Sequence, residues 1–216
     1  MCFSAEASFG ASAALCTIGV LAVRETQTRE QTLLAGIPFL FSAQQFTEGI
    51  VWLGERHTSF ASLQQPATYL FLVIALLVWP TWIVFSVFML EKEVWRKRLL
   101  AALLLLGVLV ASILGYGLFS FPVKAEVLHQ HIHYRLEFKQ LLVGRSSILY
   151  FIPTVVPPFV SSVRLMWLLG LALLVVYVIA KVYYTANIVS VWCFFAAIIS
   201  AVVLLVLRKQ HAADLR

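Results

Sequence analysis

The chain has 216 residues, of which 62% are apolar and 12% charged, with a formal charge of +6 and a mean hydropathy of +0.93. Soluble domains carry about 45–50% apolar and about 25% charged residues, so this composition excludes one core wrapped in a wet surface. A secreted or cytosolic globular domain, a disordered chain and a nucleic-acid-binding module are all excluded, because the basic residues stand in short clusters between apolar stretches, as membrane loops do.

The expected fold class is all-α, a polytopic membrane bundle of about seven transmembrane helices forming one domain over residues 1–216. A bilayer core of about 30 Å needs roughly 17–25 apolar helical residues per crossing. Seven stretches qualify, at 7–23, 32–54, 67–90, 99–119, 147–163, 165–184 and 188–207. A membrane β-barrel would alternate in polarity, and the run Leu99 to Leu106 does not.

Ahead of the first span lies Met1-Cys2-Phe3-Ser4-Ala5-Glu6-Ala7-Ser8-Phe9. Its first basic residue, Arg24, follows the apolar stretch instead of preceding it, so the segment is expected to be retained and not cleaved as a signal peptide. Ser4 suits a helix cap and Glu6 the first turn. Removal of Met1 would leave an amine and a thiol on Cys2, a chelating pair or an activated nucleophile. Cys16 and Cys193, inside spans one and seven, are expected to be small buried packing residues.

Span two carries Ser42, Gln45, Glu48 and Trp52 at helical spacing, and these share one stripe. Glu48 lies six residues from the end of the span, about 9 Å deep. A carboxylate there costs on the order of 2–3 kcal/mol, so it must be protonated, paired or bound. One reading is a protonated Glu48 bonded to Gln44 or Gln45, and the other is a functional acid.

The longest polar interruption, Phe121 to Arg145, contains His129, His131 and His133. A short extended hairpin near 121–140 is expected, with those three side chains on one side and Ile132, Tyr134, Leu136 and Phe138 on the other. Alternate imidazoles on a strand can reach one ion, whereas the plainer reading is a solvated loop face. Span five holds Pro153, Pro157 and Pro158 and should be kinked. Arg164 alone divides it from span six, which leaves a re-entrant hairpin as the alternative to two crossings. Lys181, Tyr183 and Tyr184 suit an interfacial belt at the end of span six.

Seven crossings put the termini on opposite sides. Ten basic residues (Arg24, Arg29, Lys92, Arg96, Lys97, Arg98, Arg164, Arg208, Lys209, Arg216) share one side, against six (Arg56, Lys124, Arg135, Lys139, Arg145, Lys181) on the other. Basic loops stay cytoplasmic. The expected location is therefore the plasma (inner) membrane, with the N-terminus outside and the C-terminus inside.

The motifs MCFSAEASF, FSAQQFTEGIVW, HIHY and SVWCFFAA resemble those of an uncharacterised family of small bacterial integral membrane proteins that open with an MCFSAxASF-type sequence. The resemblance covers nearly the whole chain. It implies that Cys2, Ser4, Glu6, Gln45, Glu48, His131 and Tyr134 are the matching motif positions, and it implies no established activity. The seven-helix superfamily of alkaline ceramidases and adiponectin-receptor-like proteins shares the span count but not the motifs, because span two lacks a His and span seven has none.

Two functional readings remain open on the sequence. In the first, Cys2, Glu48, His129, His131 and His133 hold zinc or another divalent metal at the outer face, with Ser4, Glu6, Gln44, Gln45 and Tyr134 supporting them. Metal-bound water would then hydrolyse a lipid-like or amide substrate, with Glu48 and Cys2 as catalytic groups. In the second, the same pocket binds a cation or small ligand without catalysis, in a sensor or transport-related protein, or the polar stripe merely packs helices against a partner. The lipid bilayer is a partner in either case, and nucleic acid is not expected.

Overall fold

The computed structural model describes residues 4–128, 131–138, 146–183 and 195–214; of 128, 131, 146–147, 180–183 and 213–214 it describes the backbone alone. Ser4 opens the fold, its hydroxyl accepting the Ala7 amide at 3.2 Å, with Glu6 in the first turn of α1 (Ala5–Arg24). Ser8, Ser12, Leu15, Gly19 and Ala22 recur at helical spacing and form the buried face of α1. That face lies against α3 (Ile37–Arg56). Cys16 corrects the expectation of burial: it is exposed, since Leu15 and Gly19 take the α3-facing positions and turn it outward. Cys193 lies outside the described residues.

The expected single span 32–54 is two helices, α2 (Arg29–Ala35) and α3, meeting at Gly36. Pro38 has no N–H to continue the ladder. Beside this break the Leu33 carbonyl accepts both the Gly36 amide at 3.2 Å and the Trp82 indole N–H at 3.0 Å. The next break is also shorter than the sequence suggests. After a 3-10 turn (Thr58–Phe60), α4 (Ala61–Val73) begins before Pro66 and carries it inside the helix, where Gln65 reaches the Val123 carbonyl at 3.0 Å. A π turn (Ile74–Val78) then absorbs Pro80 at the start of α5 (Trp79–Leu90). Side chains take up carbonyls around this irregularity: Tyr150 donates to Ala75 O at 2.5 Å, and Thr81 to Leu77 O and Val78 O at 3.0 and 2.9 Å.

Helix α6 (Val94–Ser120) runs back along α5 and leads into an antiparallel hairpin, β1 (Val123–Leu128) and β2 (His131–Leu136), as expected near 121–140. Val123, Ala125, Ile132, Tyr134 and Leu136 face inward, and the Tyr134 ring stacks on Phe71 at 4.7 Å. Prolines break the next segment as expected, giving α7 (Ser146–Val155) and α8 (Pro157–Val160). A turn with Leu165 at φ 65° leads into α9 (Met166–Tyr183). The last described helix, α10 (Ala196–Asp214), packs on α1. Its Arg208 and His211 both reach Glu25, at 3.1 and 3.2 Å.

Two ends therefore assemble. One gathers the loops around Glu25, Glu91 and Ser162 with the end of α10; the other gathers Ser4, Arg56 and the hairpin. Among the described residues three helices are long and apolar enough to cross a membrane: Ala5–Arg24, Thr58–Leu90 and Val94–Ser120. A shorter apolar helix spans Met166–Ile179. Two other expected spans fall short of that length or apolarity for local reasons: α3 carries Gln44, Gln45 and Glu48, and the α7–α8 pair is broken at Pro157. The first part of the expected span 188–207 lies outside the described residues.

The closest backbone approach is at Gly107, where an added Cβ would run into the Pro80 carbonyl oxygen. Backbone cannot step aside as a side chain can, so Gly107→Ala should cost about 1–3 kcal/mol. Gly10 has open space around its Cβ position, so Gly10→Ala should be neutral or gain up to about 1 kcal/mol. Thermal unfolding in one detergent checks the pair, and equal melting temperatures for the two variants would contradict this packing.

Candidate functional site

Helix α3 buries its polar stripe completely. Gln44, Gln45 and Glu48 are 0% exposed and Trp52 1%. They lie between two apolar clusters, one holding Ile37, Phe41, Trp79 and Ile83, the other Val51, Trp52, Phe71 and Leu76. Because α3 continues to Arg56, Glu48 is eight residues from its end, about 12 Å and deeper than the sequence suggested. The guanidinium of Arg56 sits 5.2 Å from the Trp52 ring and covers that end of the stripe.

Hydrogen bonds satisfy the stripe only in part. Gln45 Nε2 donates to Glu48 Oε2 at 2.9 Å, which matches the sequence reading that Glu48 bonds to a neighbouring glutamine. Gln44 Oε1 accepts the Trp79 indole N–H at 2.9 Å, and Thr47 donates to the Gln44 carbonyl at 2.8 Å. An indole only donates, so the Gln44 amide cannot be turned round, and its Nε2 is left over. Among the described residues Gln44 Nε2, Gln45 Oε1, Trp52 Nε1 and Ser8 Oγ are buried with no hydrogen-bond partner. Each such atom costs about 1–3 kcal/mol. One turn further along α1, Ser12 and Ser42 are by contrast fully paired, exchanging bonds with each other's carbonyls at 2.9 and 2.8 Å. Against Gly49 the Phe9 ring closes the α1–α3 contact.

The other expected site residues are distributed as follows. Ser4 and Glu6 sit at the start of α1, in the capping roles expected of them. Cys2, His129 and the side chain of His131 lie outside the described residues. His133 is half-buried on the outward face of the hairpin, opposite Glu126, whereas Tyr134 points inward, so the strand separates these two. A cavity of about 590 Å³ beside the hairpin is lined by Lys124, His133, Tyr134, Arg135 and Glu137, and Glu48 is not part of that lining. Among the described residues no three His, Cys, Asp or Glu side chains gather as a metal ion requires.

A second buried acid escaped the sequence reading. Glu91, 1% exposed, ends α5 and accepts four hydrogen bonds. Its Oε1 receives the Lys92 and Glu93 amides at 3.0 Å each and the Ser162 hydroxyl at 2.6 Å; its Oε2 receives the Ser162 amide at 2.7 Å. Arg96 ties the same two loops by donating to the Val160 carbonyl at 2.8 Å. Burial pushes the Glu91 carboxyl up, but the Ser162 bonds and the Glu93 and Lys92 amides outweigh it and hold the group below its ordinary value. The only sequence signal was an acid directly at a predicted helix end. Its partner lies 71 positions along the chain.

The architecture is thus a helical protein with three membrane-length helices, a hairpin at one end and a buried polar stripe on a fourth helix. It belongs to a family of unknown function, DUF6629, whose family model matches residues 1–216. No curated protein and no solved structure matches the chain.

The Glu91 cluster generates a pH prediction. Its folded value is depressed, so its stabilisation is complete above the unfolded value of about 4.3 and is lost as pH falls through the folded value. Glu91→Gln replaces one acceptor with an NH₂ facing N–H donors and should cost on the order of 2–3 kcal/mol at pH 7. That difference from wild type should shrink below about pH 4. Melting curves from pH 7 to 3 test this; a gap that stays constant across the range would contradict the assignment.

Proposed function

We propose that this chain is an integral membrane protein that binds a small polar ligand in the stripe between α1 and α3. The observation that carries the reading is the set of four buried, unpartnered polar atoms: Ser8 Oγ, Gln44 Nε2, Gln45 Oε1 and Trp52 Nε1. In an apolar surround, polar groups persist only where something pairs with them. Two of the four are N–H donors, which repel a bare cation and fit a ligand with acceptor atoms. The stripe therefore favours a neutral or anionic organic molecule over the zinc site and metal-dependent hydrolysis expected from sequence. It supports ligand binding, as in a sensor, in preference to catalysis.

In this reading the chain crosses the membrane seven times, with α2–α3 and the α7–α8 pair making two of the passes. The hairpin end faces outside and the Glu91 end faces the cytoplasm. Support comes from the gathering of Arg24, Arg29, Lys92, Arg96, Lys97, Arg98, Arg164, Arg208 and Lys209 on the loops and helix ends of one side.

Trp52→Phe and Ser8→Ala each delete one unpartnered atom and disturb no hydrogen bond among the described residues. Native mass spectrometry of the full chain in mild detergent should show a non-covalent small-molecule adduct. Each variant should weaken its retention about three- to tenfold, with the melting temperature of the ligand-free protein unchanged or raised. Retention in both variants equal to that of wild type, or no adduct in wild type, would sink the reading.

Orientation is tested by impermeant thiol labelling of intact cells, with Cys2, Cys16 and Cys193 replaced by Ser. His133→Cys should label and Lys97→Cys should not. The reverse pattern would invert the proposed topology.

A further inference from the structure

At the Glu91 end a second cavity, of about 700 Å³, opens among the loops, and four cations line it: Lys92, Lys97, Arg164 and Lys209. They come from separate parts of the chain, the α5–α6 loop, α6, the turn before α9, and α10. Among the described residues none of the four is in an ion pair, and Lys97 rests only over the Phe88 ring, at 5.1 Å. The lining holds two acids, but neither is turned to these cations for hydrogen bonding. Glu91 is committed to Ser162 and two amides, and Glu30, exposed at the start of α2, feels the charge of Lys92 without forming an ion pair with it. Gln31 and Gln210, also in the lining, bond to each other at 2.9 Å. What remains open to a ligand is an array of N–H donors with a net charge of +2, from four cations and two acids.

We propose that this cavity binds a phosphate-bearing anion. Arg164 supplies the planar fork that matches a phosphate and the three lysines supply point charges. The volume exceeds that of a lone phosphate and suits a phosphorylated headgroup or small molecule. Met89, Leu90 and Val163 give the cavity an apolar lip beside the cations. Basic pockets of this kind between membrane helices take lipid headgroups, and a soluble phosphate ester offers the same chemistry. The site is separate from the α3 stripe and does not depend on the function proposed for it.

The test uses the purified full chain in phosphatidylcholine nanodiscs with two probes, phosphatidylglycerol added to the bilayer and pyrophosphate added to the buffer. Thermal stabilisation is read against probe concentration for wild type, for Lys92→Gln, Arg164→Gln and Lys209→Gln combined, and for Arg98→Gln. Arg98 carries the same charge at the same end but lies outside the cavity lining. At least one probe should raise the wild-type melting temperature, and which one does so identifies a bilayer or a soluble source. The triple variant should need at least tenfold more of that probe, and Arg98→Gln should match wild type. Should the triple variant fold poorly, Lys209→Gln alone, exposed on α10, should still weaken the response severalfold. Response to neither probe, or an equal loss in Arg98→Gln and the cavity variants, would overturn the proposal.

Discussion

A carboxyl group with no exposed surface, on a helix flanked by two apolar clusters, must be given hydrogen-bond donors by its own bundle. Glu48 imposes that demand on α3, and much of the packing follows. Gln45, one turn earlier, donates to it. Placing these side chains inward forces Gln44 inward as well, where the Trp79 indole takes its oxygen and links α3 to α5. Phe41 and Trp79 pack at 4.2 Å directly beneath, and Trp52 closes the stripe above. The helices are thus joined by polar bonds at their middle and by apolar contacts on either side. Among the described residues Gln44 Nε2, Gln45 Oε1 and Trp52 Nε1 are left without a partner in this joint, and the proposed ligand would supply one.

Glu91 shows the opposite solution to the same problem. It too is buried, yet its four donors come from two loops and leave its carboxylate fully engaged. This cluster behaves as a clamp: it fixes the α5–α6 turn against the turn before α9, and so holds Lys92 and Arg164 at one cavity. One acid is satisfied and structural, while the other sits in a stripe with unpaired atoms around it. Burial is common to both, and the atoms left without a hydrogen bond lie beside Glu48, on Gln44, Gln45 and Trp52.

The sequence made the helical fold legible because apolar runs bounded by charged clusters leave few choices for α1, α6 and α9. It also revealed the hairpin, since His129, His131 and His133 alternating with Ile132, Tyr134, Leu136 and Phe138 make a two-residue period. It placed Gln45, Glu48 and Trp52 on one face, and the glutamine–Glu48 bond followed from their spacing. Helix boundaries near proline were less legible. Pro66 lies inside α4 and Pro80 is absorbed by a π turn, where Tyr150 donates to the Ala75 carbonyl from 75 positions away, a pairing that no local pattern shows. The Glu91–Ser162 clamp and the Trp79–Gln44 bond were hidden for the same reason, as partners 71 and 35 positions apart meet only in the folded chain. The alternating histidines invited a metal reading; of the three, the side chain of His133 alone is described, and it lies on the strand face opposite Tyr134, as the two-residue period predicts.

An experimental density map of the full chain, purified in mild detergent without added ligand and resolved well enough to show ordered water, tests the central claim most directly. The expected result is non-protein density bridging Gln44 Nε2, Gln45 Oε1 and Trp52 Nε1 between α1 and α3. A dry, close-packed stripe in which those atoms pair with one another or with the chain's own N-terminal residues would contradict it, and would make Glu48 a packing residue.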